Sequence, residues 1–203
     1  MTPLKTEAFA ALRRTLDCYH PLGDQSWAAL QTACNYRELR RHELLCRAGE
    51  TPTSFSFVYR GLFRAFVLDE KGNEYNKAFF EEGRFPGAMT ALLRGEPSRV
   101  TLEALEAAVV IDISFASFRR LLHRHHDLAL FQIHYLEHHW LLDKDAREIE
   151  LVQEEAAERY LRFLRDFPAL AGRLPLYHIA SHLGITPTQL SRIRKKIEGT
   201  QPM

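Results

Sequence analysis

With 203 residues, 46% of them hydrophobic, the chain can bury a sizeable core, and its length suits one large or two small domains. Its net charge of +1 is close to neutral, so any nucleic-acid footprint must come from how charge is distributed rather than from its total. No apolar run approaches the ~20 residues needed to cross a bilayer, and the N-terminus lacks a secretory apolar segment, which points to a soluble, cytoplasmic protein. Cys18, Cys34 and Cys46 lie 16 and 12 residues apart with no CxxC pair, which indicates neither a disulfide framework nor a zinc knuckle; buried or idle thiols are expected.

After N-terminal helices, residues 37 to 114 read as short strands of apolar, β-branched and aromatic residues: Leu39 to Cys46, Ser54 to Tyr59, Leu62 to Leu68, Tyr75 to Phe80 and Ala107 to Ile113. Glycines 49, 61, 72, 83 and 87 punctuate them, and Asp69-Glu70-Lys71-Gly72-Asn73 is a hairpin turn. This spacing predicts a compact all-β roll. From Phe115 to about Phe167 the period becomes helical. Leu128, Phe131, Tyr135, His138, Leu142, Asp145, Ile149 and Val152 keep a 3-4 alternation, while Ile133, Leu136 and Trp140 form a second apolar face. Two faces require two partners: one can cover the roll, the other the same helix of a second subunit. Phe131, Tyr135, His138, Leu142 and Ile149 are the expected dimer seam.

Six of the ten histidines, His123, His125, His126, His134, His138 and His139, cluster in this helical region. His134 and His138 have the i, i+4 spacing that can offer two imidazoles to zinc. No Cys lies near and no motif fixes Asp127 or Glu137, so a helix surface or seam edge is expected, with no metal.

The segment Leu174 to Ile197 reads as a helix-turn-helix. Ile179, Ala180 and Leu183 make a short apolar face, Gly184 ends it, and Leu190, Ile193 and Ile197 begin a second face. Thr186 as N-cap, Pro187 at the first helical position and Gln189 closing a capping box specify the second start. Thr188, Ser191, Arg192 and Lys195 then fall on the outward stripe, flanked by Arg194 and Lys196. Together with Gln189, these residue types suit a major groove and its phosphates. Residues 173 to 203 hold five Lys or Arg against one acid, a local charge of +4, whereas residues 143 to 158 hold seven acids against two bases, a local −5. Basic charge concentrated on the reading element is the footprint of a DNA-binding module. His178 and His182, in the first helix, are read as solvent or phosphate contacts. Six residues follow Ile197, so phosphate contacts are expected from the helices rather than from a β-wing.

The runs Cys46-Arg47-Ala48-Gly49-Glu50, Phe57-Val58-Tyr59-Arg60-Gly61, Asp69-Glu70-Lys71-Gly72-Asn73-Glu74 and Phe79-Phe80-Glu81-Glu82-Gly83-Arg84-Phe85-Pro86-Gly87 resemble the cyclic-nucleotide-binding roll of the Crp/Fnr family of bacterial transcription regulators. Together with the following helix and helix-turn-helix, the resemblance covers about residues 20 to 197. It implies an α+β protein with a cyclic-nucleotide-binding-like β-roll over 1–127, a dimerisation helix over 128–152 and a helix-turn-helix DNA-binding domain over 153–203. It further implies a homodimer on double-stranded, palindromic DNA, with RNA polymerase as a candidate partner and an effector site in each roll.

Family members that bind cyclic AMP hold the ribose with a Gly-Glu pair and the cyclic phosphate with an Arg-Ser pair. This chain has Gly87-Ala88 and Ser98-Arg99 there. The carboxylate is lost, and inverting Arg and Ser moves the cation to the other face of an extended segment. The expectation is a degenerate effector pocket that ignores cyclic AMP and takes another small molecule or none, with no cofactor. The iron–sulfur sensors of the family need four closely placed cysteines, which this chain lacks. With no Gly-rich phosphate loop, no GxSxG and no HExxH, an enzyme is not indicated. The remaining alternative is a sensor of the same fold acting through protein partners rather than DNA.

Overall fold

The computed structural model describes residues 3–142 and 155–198. They fall into two compact units: Met1–Ala65 with Phe79–Lys144, and Phe66–Ala78 with Asp145–Met203.

The first unit is organised by alternation on one strand. Seven strands, β1 (Cys34–Leu39), β2 (Leu44–Cys46), β3 (Ser54–Arg60), β4 (Phe63–Leu68), β5 (Glu74–Phe80), β6 (Thr101–Ala104) and β7 (Ala108–Ser114), form two sheets among the described residues, ordered β1-β7-β3 and β2-β6-β4-β5. β7 is antiparallel to β1 (Tyr36 opposite Ile111) and to β3 (Phe57 opposite Ile111). Successive side chains point to opposite faces. Val109, Ile111 and Ile113 therefore join the core under the helices, and Ala108 and Val110 join a smaller core with Leu39, Val58, Phe63 and Ala104.

Helices α1 (Pro3–Tyr19), α2 (Asp24–Gln31), α4 (Phe115–Leu122) and α5 (His126–Leu136) contribute to the larger core. Ala8, Phe9, Leu12 and Leu16 form the inward stripe of α1. Ser114 caps α4 by accepting from the Ser117 N–H. Asp127, in the first turn of α5, accepts from the Gly23 N–H at 2.8 Å and the Ser26 hydroxyl at 2.7 Å, tying the start of α2 to the start of α5. Burial by itself raises the Asp127 carboxyl, but these bonds outweigh it and hold the group below its ordinary value.

Several sequence expectations change here. The single strand expected over Leu39 to Cys46 is two, because the polar run Arg40 to Glu43 turns the chain, with His42 in the left-handed region at φ 70°. The strand Cys34–Leu39 and the short helix α3 (Met89–Arg94) were not signalled by period. The helical stretch is interrupted at His125, whose backbone is extended, and widens to a π-type turn over Glu137–Leu142. The seam expected of the long helix is split between buried and exposed residues. Phe131 and Tyr135, assigned to the seam, are buried against Tyr19 and Phe85. Ile133, Leu136, Trp140, Leu141 and Leu142 are exposed, as is His138. Ile149 and the rest of the expected helix to residue 152 lie outside the described residues. His139 is held by structure: Arg84 donates to its Nδ1 at 2.7 Å, so its proton sits on Nε2, which meets Tyr19 Oη at 2.5 Å.

The second unit contains α6 (Ala156–Asp166), α7 (Pro168–Arg173), α8 (Leu176–His182) and α9 (Pro187–Glu198) together with the tip of the β4–β5 hairpin. Tyr160, Phe163, Leu170, Leu174, Ile179, Ala180, Leu183 and Leu190 form its buried apolar set. α6 opens with a reciprocal capping box between Glu155 and Glu158.

Among the described residues of the first unit, Arg64 and Glu103, on adjacent strands β4 and β6, form a buried ion pair at 2.6 Å, their side chains 7% and 10% exposed. His42 Nδ1 meets the other Glu103 oxygen at 2.5 Å. Burial raises the Glu103 carboxyl, but the bonds from His42 and Arg64 outweigh it and hold the group below its ordinary value. Such a group stabilises the fold at every pH above the ordinary Glu value of about 4.3 and loses that contribution as pH falls through its folded value. Glu103→Gln, which removes the carboxylate facing Arg64, is expected to cost about 3–5 kcal/mol in urea denaturation at neutral pH. Its loss relative to the parent should shrink as the pH is taken below about 4.

Candidate effector loop and DNA-reading helices

The candidate effector loop follows β5. The chain turns at Gly83, whose N–H donates to the Val58 carbonyl at 2.9 Å, and Phe85 enters the larger core. Gly87 follows, against β3: a Cβ added there would lie 2.7 Å from Phe55 Cβ and 3.0 Å from Met89 Sδ, so only glycine fits without displacing the strand. Ala88 is buried at the start of α3, with no side-chain cap. Where the related pair would carry a carboxylate, the structure has a buried methyl.

After α3 the chain turns at Gly95, in the left-handed region, and returns to β6 through Ser98 and Arg99. Ser98 is buried and held in place: its N–H donates to the Glu50 carbonyl at 2.8 Å and its carbonyl accepts from Gly49 at 2.7 Å. Its hydroxyl accepts from the Val100 N–H at 3.0 Å and donates to the Val100 carbonyl at 2.8 Å. The neighbouring Arg99 is exposed. The inverted pair thus keeps its hydroxyl inside, bonded to Val100, and leaves its cation exposed. Cys46 is also buried, which pushes its thiol up, and burial pushes Cys34 up to about 12, so neither offers a thiolate near neutral pH. No group of three or more metal-ligating side chains occurs among the described residues.

The two C-terminal helices follow the sequence closely. α8 ends at a left-handed Gly184, and α9 starts at Pro187. Gln189 N–H donates to Thr186 Oγ1 at 3.1 Å, and Gln189 Oε1 accepts from Thr186 N–H at 2.9 Å and from its hydroxyl at 3.1 Å. The capping box is therefore closed. It commits the Gln189 amide oxygen to the turn. Leu190 is fully buried and Ile193 and Ile197 are half-buried, so Thr188, Ser191, Arg192, Lys195 and Lys196 are exposed on the other side, with Arg194 intermediate.

His178 and His182 depart from expectation. His178 is buried, and both rings are hydrogen-bonded to Asn76 of the hairpin rather than facing solvent. The contact was invisible to periodicity because Asn76 lies about a hundred residues earlier.

A two-sheet roll bearing a glycine-containing loop, followed along the chain by a capped helix-turn-helix, defines the class: a cyclic-nucleotide-binding type of fold with a C-terminal helix-turn-helix. Residues 36–125 match the cyclic nucleotide-binding domain family. The cAMP-activated global transcriptional regulator CRP of Salmonella typhimurium is 23% identical over 97 residues, 48% of this chain and 46% of the relative. The chain thus spans about half the length of the curated relatives it matches. The global regulator CLP of Xanthomonas campestris, described as c-di-GMP responsive, superposes with a TM-score of 0.69 at 16% identity, covering 87% of this chain and 92% of that one. FixK2 of Bradyrhizobium japonicum superposes with a TM-score of 0.66 at 19% identity, covering 82% and 85%. Residues 36–125 thus form a cyclic nucleotide-binding domain, and the chain shares the fold of these regulators. No described helix is long and apolar enough to cross a membrane.

Proposed function

We propose that this protein is a sequence-specific, dimeric DNA-binding transcription regulator whose roll does not respond to cyclic AMP. The observation that carries the DNA-binding part is the exposed stripe Thr188, Ser191, Arg192, Lys195 and Lys196 on a helix whose start is locked by the Thr186–Gln189 box. A protein-docking helix would present an apolar or mixed stripe; this one is basic and polar. Selection of genomic fragments with the purified protein, followed by binding across a salt series, tests the reading. Salt-independent binding, or none, would favour the alternative of protein partners.

Arg192 is the base reader in this scheme, and Lys195 and Lys196 the phosphate contacts. Arg192→Ala is expected to cost about 1–3 kcal/mol and to flatten the preference at one base pair per half-site, while Lys196→Ala weakens all sequences alike and lowers the salt slope by about one. Competition binding with single-base variants of the operator distinguishes the two patterns. Half-sites are expected about 34 Å apart, one turn of the duplex.

The cyclic AMP part rests on the loop. Ala88 supplies no acceptor for a ribose, Ser98 spends its hydroxyl on Val100, and Arg99 is turned outward. Thermal melting with millimolar cyclic AMP or cyclic GMP is expected to show no saturable shift. A true ligand at ~100 times its Kd would add about 2.7 kcal/mol, readily seen.

The dimer is assigned to the exposed face of α5 and the π-type turn, where Trp140 and Leu142 are 46% and 62% exposed. Leu142→Glu is expected to split the dimer, because an unpaired carboxylate in an apolar seam costs several kcal/mol, on the order of 3–5. Light scattering that returns an unchanged dimer mass would remove this face from the interface.

A further inference from the structure

Asn76 of β5 is 0% exposed and grips α8 with several of its polar groups. Its backbone N–H donates to Ser181 Oγ at 3.0 Å, and its carbonyl oxygen accepts from His182 Nδ1 at 3.0 Å. Its side-chain nitrogen donates to the His178 carbonyl at 3.2 Å and to His178 Nδ1 at 3.1 Å. Ser181 completes the set by donating its hydroxyl to the Glu74 carbonyl at 2.8 Å. A carbonyl oxygen can only accept, so the NH2 end of the Asn76 amide must face His178. The same NH2 then requires an unprotonated Nδ1, which makes His178 neutral with its proton on Nε2. His182 must in turn carry a proton on Nδ1.

α8 is the first helix of the helix-turn-helix, the one that crosses the DNA backbone in such modules while the second enters the groove. We propose that the β4–β5 hairpin is an integral part of the DNA-reading module, with Asn76 as a positioning residue that sets the pose of α8 and, through the turn at Gly184, of α9. This rests on the DNA-binding reading above. The hairpin's own residues argue against two other roles. Asp69, Glu70 and Glu74 outnumber Lys71 and Lys77 on its tip, so it carries net negative charge and is no phosphate-contacting wing. Asn76 bonds to His178, Ser181 and His182, and Thr188, Ser191, Arg192, Lys195 and Lys196 are exposed, so the hairpin does not cover the reading face. β5 is also covalently continuous with the loop that carries Gly87 and Ala88.

The test uses the full chain and its selected operator duplex. Asn76→Ala is expected to bind the operator about tenfold more weakly, the scale of one or two lost net hydrogen bonds. Base preference and salt slope should stay at the parent values, because no base or phosphate contact is removed. Imidazole nitrogen resonances supply a local readout: His178 Nδ1 is expected to show an accepting, unprotonated nitrogen in the parent and to lose the hydrogen-bonded signature in the variant. Ser181→Ala removes the hydroxyl joining the Asn76 N–H to the Glu74 carbonyl and should weaken binding in the same way, which keeps the question answerable if Asn76→Ala does not fold. The double variant should be less than additive, as expected for residues of one network. Operator affinity within twofold of the parent in either folded variant overturns the proposal. Tighter binding overturns it too, since the hairpin would then be a restraint. A parent protein that binds no duplex removes the DNA reading itself, and the proposal falls with it.

Discussion

Strand β7 is paired on both edges and buried on both faces, and the rest of the roll is arranged around that constraint. A strand in this position cannot slip by one residue without exchanging Val109, Ile111 and Ile113, which meet the helices, with Ala108 and Val110, which meet the second sheet. The large set faces the aromatic side chains of α1, α4 and α5, and the small set allows the two sheets to approach. β1 and β3 take their registers from β7, and the loop that leads to Gly87 takes its position from β3 through Phe55.

On this scaffold the loop after β5 is fixed by packing at Gly87. Gly87 is required by the proximity of Phe55, and the residues that follow it offer a buried methyl, a hydroxyl satisfied by its neighbour and an exposed guanidinium. Backbone geometry and ligand chemistry are separable in such a loop. The first depends on glycine and packing; the second depends on two side chains that can be exchanged without disturbing either.

The helix-turn-helix shows the opposite relation, with local chemistry deciding nearly everything within it. The Thr186–Gln189 box, Pro187 and the left-handed Gly184 fix the turn through contacts between near neighbours. What the module borrows is the hairpin, whose Asn76 supplies α8 with hydrogen bonds that its own helices do not.

The amino-acid sequence by itself determined the roll-then-helices order, the hairpin turn at Asp69–Asn73, the start and stop of α8 and α9 and the outward basic stripe, because each depends on residues within about one turn or one strand of each other. It also located Gly87-Ala88 and Ser98-Arg99, through likeness to known runs. Only the tertiary structure decided that Leu39 to Cys46 breaks at His42, that Phe131 and Tyr135 face inward while Trp140 and Leu142 do not, that Arg64 and Glu103 pair, and that His178 and His182 meet Asn76. A helix with two apolar faces does not state which face the roll will cover. A buried polar side chain likewise shows its partner only when distant strands are brought together, since hydrogen bonds and burial act across space while periodicity reports only along the chain.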